Sequence, residues 1–209
     1  MTPDYWETAA KALARRDPIL RRLRAQYPDI SLRRRGDAFT TLARAITGQQ
    51  ISVKAAQSVW NRVLAAADGR ANRLAAPAIM ALGPEVLRGC GLSQRKTEYI
   101  RDLAAQFIGG QIRPRRWHRM DDEAVIAELV AVKGIGRWTA EMFLIFNLLR
   151  PDVLPVDDIG LQRAVALHYN DGERLSISDL RVIAEAWAPW RSVATWYLWR
   201  SLDPIPVEY

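Results

Sequence analysis

The stretch Val130-Ala131-Val132-Lys133-Gly134-Ile135-Gly136-Arg137-Trp138-Thr139-Ala140 constrains the fold of this chain more than any other. Two glycines flank one apolar residue, with helix-forming sequence on both sides. Glycine enters positive φ at no steric cost and leaves its amide open to close approach. The segment therefore reads as a hairpin joining two helices. A helix that starts there points its first main-chain N–H groups outward, without intrahelical acceptors, and these suit a phosphate. Downstream, Leu154-Pro155-Val156-Asp157-Asp158 puts a carboxylate pair at the start of a further helix. One element can hold a nucleic-acid backbone, and the other can stabilise positive charge beside it. The plainer alternatives are a tight helix–helix turn and two ordinary N-caps.

The rest of the chain also reads as helix. A helix spans about 5–16, and Asp17-Pro18 caps another that runs to about Gln26. Residues 28–36 form a loop that includes Arg33-Arg34-Arg35. From about Asp37, Phe39, Leu42, Ala43 and Ile46 recur at helical spacing, and Gly48 interrupts them. Ile51, Ala55, Val59 and Val63 mark the next helix. Short pieces follow around 71–81 and 84–88. Ser93 caps a helix with Tyr99, Ile100, Leu103 and Phe107 facing inward.

Residues 113–119 read as a basic loop. Asp121 or Asp122 opens the first hairpin helix. The second, from about Arg137 to Leu149, is apolar on nearly all sides and belongs in a core. Asp157 or Asp158 opens a helix with Leu161, Val165 and His168 in phase. Two more lie near 178–186 and 190–202. No period-2 strand pattern and no internal repeat is evident, so the fold class is all-α.

Bulk properties narrow the function. Net charge is +7 and the pI about 10.0, which suits a polyanionic partner without demanding one. The single cysteine, Cys90, rules out an intrachain disulfide and a four-cysteine zinc or iron–sulfur site. It reads as a small buried residue. His118 and His168 are far from any ligand cluster, so neither suggests a metal. No apolar run reaches a membrane span, and the N-terminal segment is unlike a signal peptide. A cytoplasmic location, with chromosomal DNA within reach, is expected.

Four stretches carry a resemblance. They are T-G-Q-Q-I-S at 47–52, L-S-Q-R-K at 92–96, the hairpin with its aspartates, and P-W-R-S at 189–192. Together they resemble the helix-hairpin-helix (HhH-GPD) DNA glycosylase superfamily, and within it the alkylated-base branch typified by DNA-3-methyladenine glycosylase II. The resemblance implies one glycosylase unit over 1–209, with the helix-hairpin-helix at about 122–149. It also implies two helical lobes with a DNA cleft between them. One lobe is formed by about 37–150, the other by 1–36 with 151–209.

The same resemblance assigns roles. Asp158 is the catalytic carboxylate and Asp157 its structural neighbour. Trp138, Met142 and Trp199 line the base pocket, although relatives often have tyrosine at the position of Met142. Gly134, Gly136 and Thr139 grip the DNA backbone, helped by Arg95 and Lys96. Gln49 and Gln50 fill the gap left by the extruded base or cap the preceding helix, and relatives often carry leucine at position 50. Main-chain carbonyls of Val130, Val132 and Ile135 hold a Na+ or K+ ion; no other cofactor is required, and no iron–sulfur cluster is expected.

Trp138 stands where glycosylases that also cut the backbone have lysine, and Lys133 lies before the glycines. A monofunctional enzyme follows, acting as a monomer on double-stranded DNA with alkylated bases and having no membrane partner. Arg33–Arg35 and 113–119 contact phosphates or are simply solvated. Arg191 braces the aspartate loop or makes a buried ion pair. The competing readings are a non-catalytic helix-hairpin-helix damage-binding protein, a helical scaffold for protein partners, and a mismatch or oxidised-base glycosylase.

Overall fold

The computed structural model describes residues 2–28, 30–34, 36–69 and 72–203. Among these, all regular structure is helical. The helices are α1 (Trp6–Arg16), α2 (Pro18–Gln26), α3 (Ala38–Gly48), α4 (Val53–Ala66), α5 (Ala76–Ala81), α6 (Pro84–Gly89), α7 (Gln94–Ile108), a 3-10 helix (Pro114–Arg119), α8 (Asp122–Val130), α9 (Arg137–Phe146), α10 (Ile159–Tyr169), α11 (Ile177–Glu185) and α12 (Arg191–Leu202). Short polar side chains start many of them. Asp17, Asp37, Ser52, Ser93, Asp121, Asp158 and Ser176 each accept a bond from an amide of the first turn. Each such cap satisfies a donor that the helix itself cannot.

The chain divides into two compact units. One comprises the described residues of Met1–Arg34 and Leu144–Val207, the other those of Arg35–Phe143. The division falls inside α9, earlier than the boundary after Arg150 that the resemblance implied.

In the first unit α12 is central and packs on α1, α2 and α10. Ser192 to Leu198 are all buried, as expected for a helix enclosed on every side. Trp6 meets the Trp196 ring edge-on at 5.1 Å. Asp17, only 7% exposed, is the charged node of this core. Its Oδ1 accepts from Ile19 N and Leu20 N, and its Oδ2 from Tyr169 Oη at 2.6 Å and Trp187 Nε1 at 3.3 Å. A buried carboxylate is tolerated when its lone pairs are filled in this way.

In the second unit α7 packs on α3, α5 and α6, and α4 packs on α3 and α6. Phe39 and Phe107 meet edge-on at 5.2 Å.

Three sequence expectations need correction. Residues 113–119 are not an open loop. They form the 3-10 helix, anchored by Trp117, whose indole is 1% exposed and donates to Glu128 Oε1 at 2.9 Å. The helical piece expected around 71–81 is confined to α5; Ala71, like Arg35 of the arginine run, lies outside the described residues. Helix α9 stops at Phe146 rather than Leu149. Leu149 takes φ 57°, and Arg150 N donates back to Leu144 O at 2.9 Å, which closes the helix end with a residue in the left-handed region.

Candidate active site

Asp158 stands at the end of a loop held at both ends. At its start, the N-terminus of α12 clamps Pro151–Val153. Arg191 donates from N and Nε to Asp152 Oδ1 at 3.1 and 2.8 Å, and from Nη2 to Oδ2 at 2.6 Å. Ser192 N donates to Pro151 O, and Ser192 Oγ accepts from Val153 N at 2.9 Å. At the loop's end, Asp158 N donates to Pro155 O at 3.0 Å and Gln162 Nε2 to Val156 O at 2.8 Å. Arg191 therefore both makes an ion pair and braces the aspartate loop.

The two aspartates differ. Asp157 is exposed and Asp158 half-buried. Asp158 is the N-cap of α10, and its Oδ1 accepts from Leu161 N at 2.7 Å and from Trp199 Nε1 at 2.8 Å. Its negative charge faces the positive end of the helix dipole. The Trp199 ring stacks on Phe146 with centroids 5.7 Å apart and planes 13° from parallel. Gly160 makes room for this arrangement. A Cβ there would lie 3.0 Å from Asp158 Oδ1 and 3.3 Å from Trp199 Cδ1. A partly solvated carboxylate fixed in this way can stabilise an adjacent cationic centre.

The hairpin joins α8 to α9. Gly134 has φ 82°, and a Cβ on it would overlap the Tyr99 ring. Only glycine fits there, for conformational and steric reasons together. Gly136 differs: a Cβ there would meet nothing within 4 Å. The turn is held by Ile135 N to Val132 O at 3.1 Å and Lys133 N to Asp102 Oδ2 at 3.0 Å. Ala140 N donates to Gly136 O, and the amides before it lie in the first turn of α9, ahead of that bond. Arg137 joins the two hairpin helices. Its guanidinium pairs with Glu123 of α8 and donates from Nε to the buried Glu141 at 2.9 Å. The bond from Arg137 holds the Glu123 carboxyl below its ordinary range.

Of the other predicted residues, Gln49 touches the hairpin directly. Gln49 Nε2 donates to Gly134 O at 2.8 Å, tying the 47–52 turn to the hairpin. Gln49 is also the C-cap residue of α3. Gln50, at φ 57°, is exposed at the tip of that turn, beside the exposed Ile51. Thr139 is half-buried and Arg95 exposed. Lys96 was expected at the DNA backbone, but its Nζ donates to Thr47 O at 2.9 Å, and burial lowers its pKa.

The apolar helix α9 is not enclosed on all sides as its sequence suggested. Trp138 is 41% exposed, and Met142 and Phe146 are half-buried. Spaced four apart, these three lie along one face of the helix.

The carbonyls of Val130, Val132 and Ile135 border the turn, and that of Val132 also accepts the Ile135 amide. Neutral, hard oxygen donors are the right chemistry for an alkali cation. No group of three or more His, Cys, Asp or Glu able to hold a metal ion occurs among the described residues. No helix there is long and apolar enough to cross a membrane.

Sequence reasoning missed Asp152, the approach of Tyr99 to Gly134, the place of Phe146 against Trp199 and the bond from Trp199 to Asp158. Of these only Phe146 had a local signal, its spacing from Trp138 and Met142.

Comparison with known proteins bears on this geometry. Residues 43–192 match the family model described as the HhH-GPD superfamily base excision DNA repair protein. DNA-3-methyladenine glycosylase 1 of Schizosaccharomyces pombe is 34% identical over 171 residues, covering 79% of this chain and 72% of that protein. A crystal structure of a DNA-3-methyladenine glycosidase from Bacillus halodurans superposes with a TM-score of 0.78 at 34% identity, over 90% of both chains. A 3-methyladenine DNA glycosylase of S. pombe in complex with abasic DNA superposes with a TM-score of 0.79 at 29% identity, over 96% of this chain and all of that one.

Proposed function

Because the chain belongs to the HhH-GPD superfamily of base excision DNA repair proteins, we propose that it is a monofunctional DNA glycosylase. Its substrate is double-stranded DNA carrying alkylated purines of the 3-methyladenine or 7-methylguanine type, and its product is an abasic site. The observation that carries this reading is Asp158, held on one oxygen by Leu161 N and Trp199 Nε1 yet still open to solvent.

A base inside the duplex is out of reach, so it must first be rotated out of the stack. The first turn of α9, with Gly134, Gly136 and Thr139, holds a backbone phosphate. Arg95, exposed in the first turn of α7, adds a cation. Gln50, exposed at its turn, is the residue that enters the gap, and Gln49 fixes the turn to the hairpin. The carbonyls of Val130, Val132 and Ile135 would hold a monovalent cation, which adds positive charge near that phosphate.

The C1′–N bond then breaks and its electron pair leaves with the base. The sugar acquires oxocarbenium character, which the Asp158 carboxylate stabilises. Water adds its oxygen to C1′ and gives up a proton, for which Asp158 is the acceptor. An alkylated purine carries positive charge on its ring, so it leaves readily and needs little acid catalysis. The exposed indole of Trp138 suits such a ring by cation–π attraction, with Met142 on the same face of α9; Trp199 offers a second indole beside Asp158. Trp138 carries no amine, so no covalent imine with the sugar forms.

The test is release profiling from methylated duplex DNA by mass spectrometry, with Asp158→Asn as control. Free 3-methyladenine or 7-methylguanine from the parent protein, and a rate lower by about 10^2–10^3-fold in the variant, is the expected result. Tight binding without base release would instead favour a damage-binding protein. Borohydride should trap no enzyme–DNA adduct.

A further inference from the structure

We propose that Trp199 is a positioning residue for Asp158, acting through its indole N–H rather than only through its ring face. This rests on Asp158 being the carboxylate at the reacting sugar.

The argument begins with what a helix cap alone can do. The bond from Leu161 N to Asp158 Oδ1 fixes one oxygen, but the terminal torsion of an aspartate is broad and the carboxylate plane can still swing. A second donor on the same oxygen, from a different element, removes that freedom. Trp199 Nε1 supplies it at 2.8 Å from α12. The indole is itself held, since Phe146 stacks on its ring and the neighbouring Leu198 and Arg200 are buried.

Gly160 completes the device. With hydrogen in place of a side chain, it leaves the indole edge and the carboxylate free to meet. A Cβ would sit at 3.0 Å from Asp158 Oδ1, 3.3 Å from Trp199 Cδ1 and 3.4 Å from Nε1. The helix does not need glycine for its backbone here, because Gly160 is not in the left-handed region. What requires glycine at position 160 is the approach of the indole to the carboxylate. Stacking on Phe146 and donation to Asp158 use different parts of Trp199. Removing the N–H should therefore spare the packing.

Two variants test this from opposite sides. Trp199→Phe keeps an aromatic ring but has no donor. Gly160→Ala keeps the indole but crowds the bond. Single-turnover excision from alkylated duplex at saturating enzyme should slow roughly 10-fold in each, with unchanged affinity for abasic duplex. The double variant should be little slower than either single one, since both remove one interaction.

A wild-type single-turnover rate in Trp199→Phe would overturn the proposal. So would a loss confined to DNA affinity, or full additivity in the double variant. Asp158→Asn tests the underlying reading separately. If it excises normally, that reading fails whatever Trp199 does; if it is inactive while Trp199→Phe is normal, only the positioning role falls.

Discussion

At the hairpin the functional atoms belong to the main chain, whereas at Asp158 they belong to one side chain. The hairpin amides are placed by what is missing: Gly134 lets Tyr99 lie against the backbone and adopts a φ that other residues rarely take. The carboxylate is placed by what is added, a cap bond, an indole bond and the Arg191–Asp152 clamp behind the loop. A main-chain grip tolerates most side-chain changes but not a Cβ in the wrong place. A side-chain site tolerates backbone neighbours but not loss of a single group. Damage to one should therefore leave the other intact.

Gly134→Ala should have the largest effect on the grip. Strained φ and overlap with Tyr99 together cost about 1–3 kcal/mol. A lower melting temperature and weaker binding to damaged and undamaged DNA alike are expected. Adding Tyr99→Ala should recover part of the melting temperature by relieving the overlap, but not the φ strain.

Gly136→Ala sharpens the contrast, because nothing inside the protein occupies that space. The fold should be unaffected by thermal melting. DNA affinity should drop roughly 10-fold, about 1.4 kcal/mol, as a methyl group obstructs the phosphate. Unchanged affinity would place the phosphate elsewhere.

On the aspartate side, Arg191→Ala removes a bidentate pair that is still partly solvated. About 1 kcal/mol of stability should be lost after allowing for solvent screening. Excision should slow while DNA affinity is kept, measured by single-turnover kinetics and titration.

The smallest effect is expected in the last turn of α10, at the opposite end of the helix from Asp158. Burial, and then the Arg22 guanidinium, lower the pKa of His168. The folded state thus disfavours the imidazolium. The stability linked to this residue is full above its ordinary value near 6.5 and is lost as pH falls through the lower folded value. His168→Gln should flatten that acid loss, read as a smaller fall in melting temperature on acidification from above pH 6.5.

Much of this was legible in the sequence where one residue type does one local job. Asp17 and Ser93 read as caps, and helix starts at about Asp37, at Asp121 or Asp122 and at Asp157 or Asp158 could be placed, because this chemistry acts within three residues. The end of α9 was illegible because Leu149, not a glycine, takes the left-handed conformation. The 3-10 helix was missed because its anchor, Trp117 on Glu128, is not a local signal. Gly134 and Gly136 look alike in sequence, and only packing separates their roles. The bond from Trp199 to Asp158 spans most of the C-terminal segment and has no local pattern.

The most direct test measures dissociation constant and saturating single-turnover rate on one alkylated duplex for Asp158→Asn and Gly136→Ala. The account predicts a crossed result: the first variant keeps its affinity and loses its rate, and the second loses affinity and keeps its rate. Parallel loss of both quantities in both variants, or base release at the parental rate by Asp158→Asn, would contradict it.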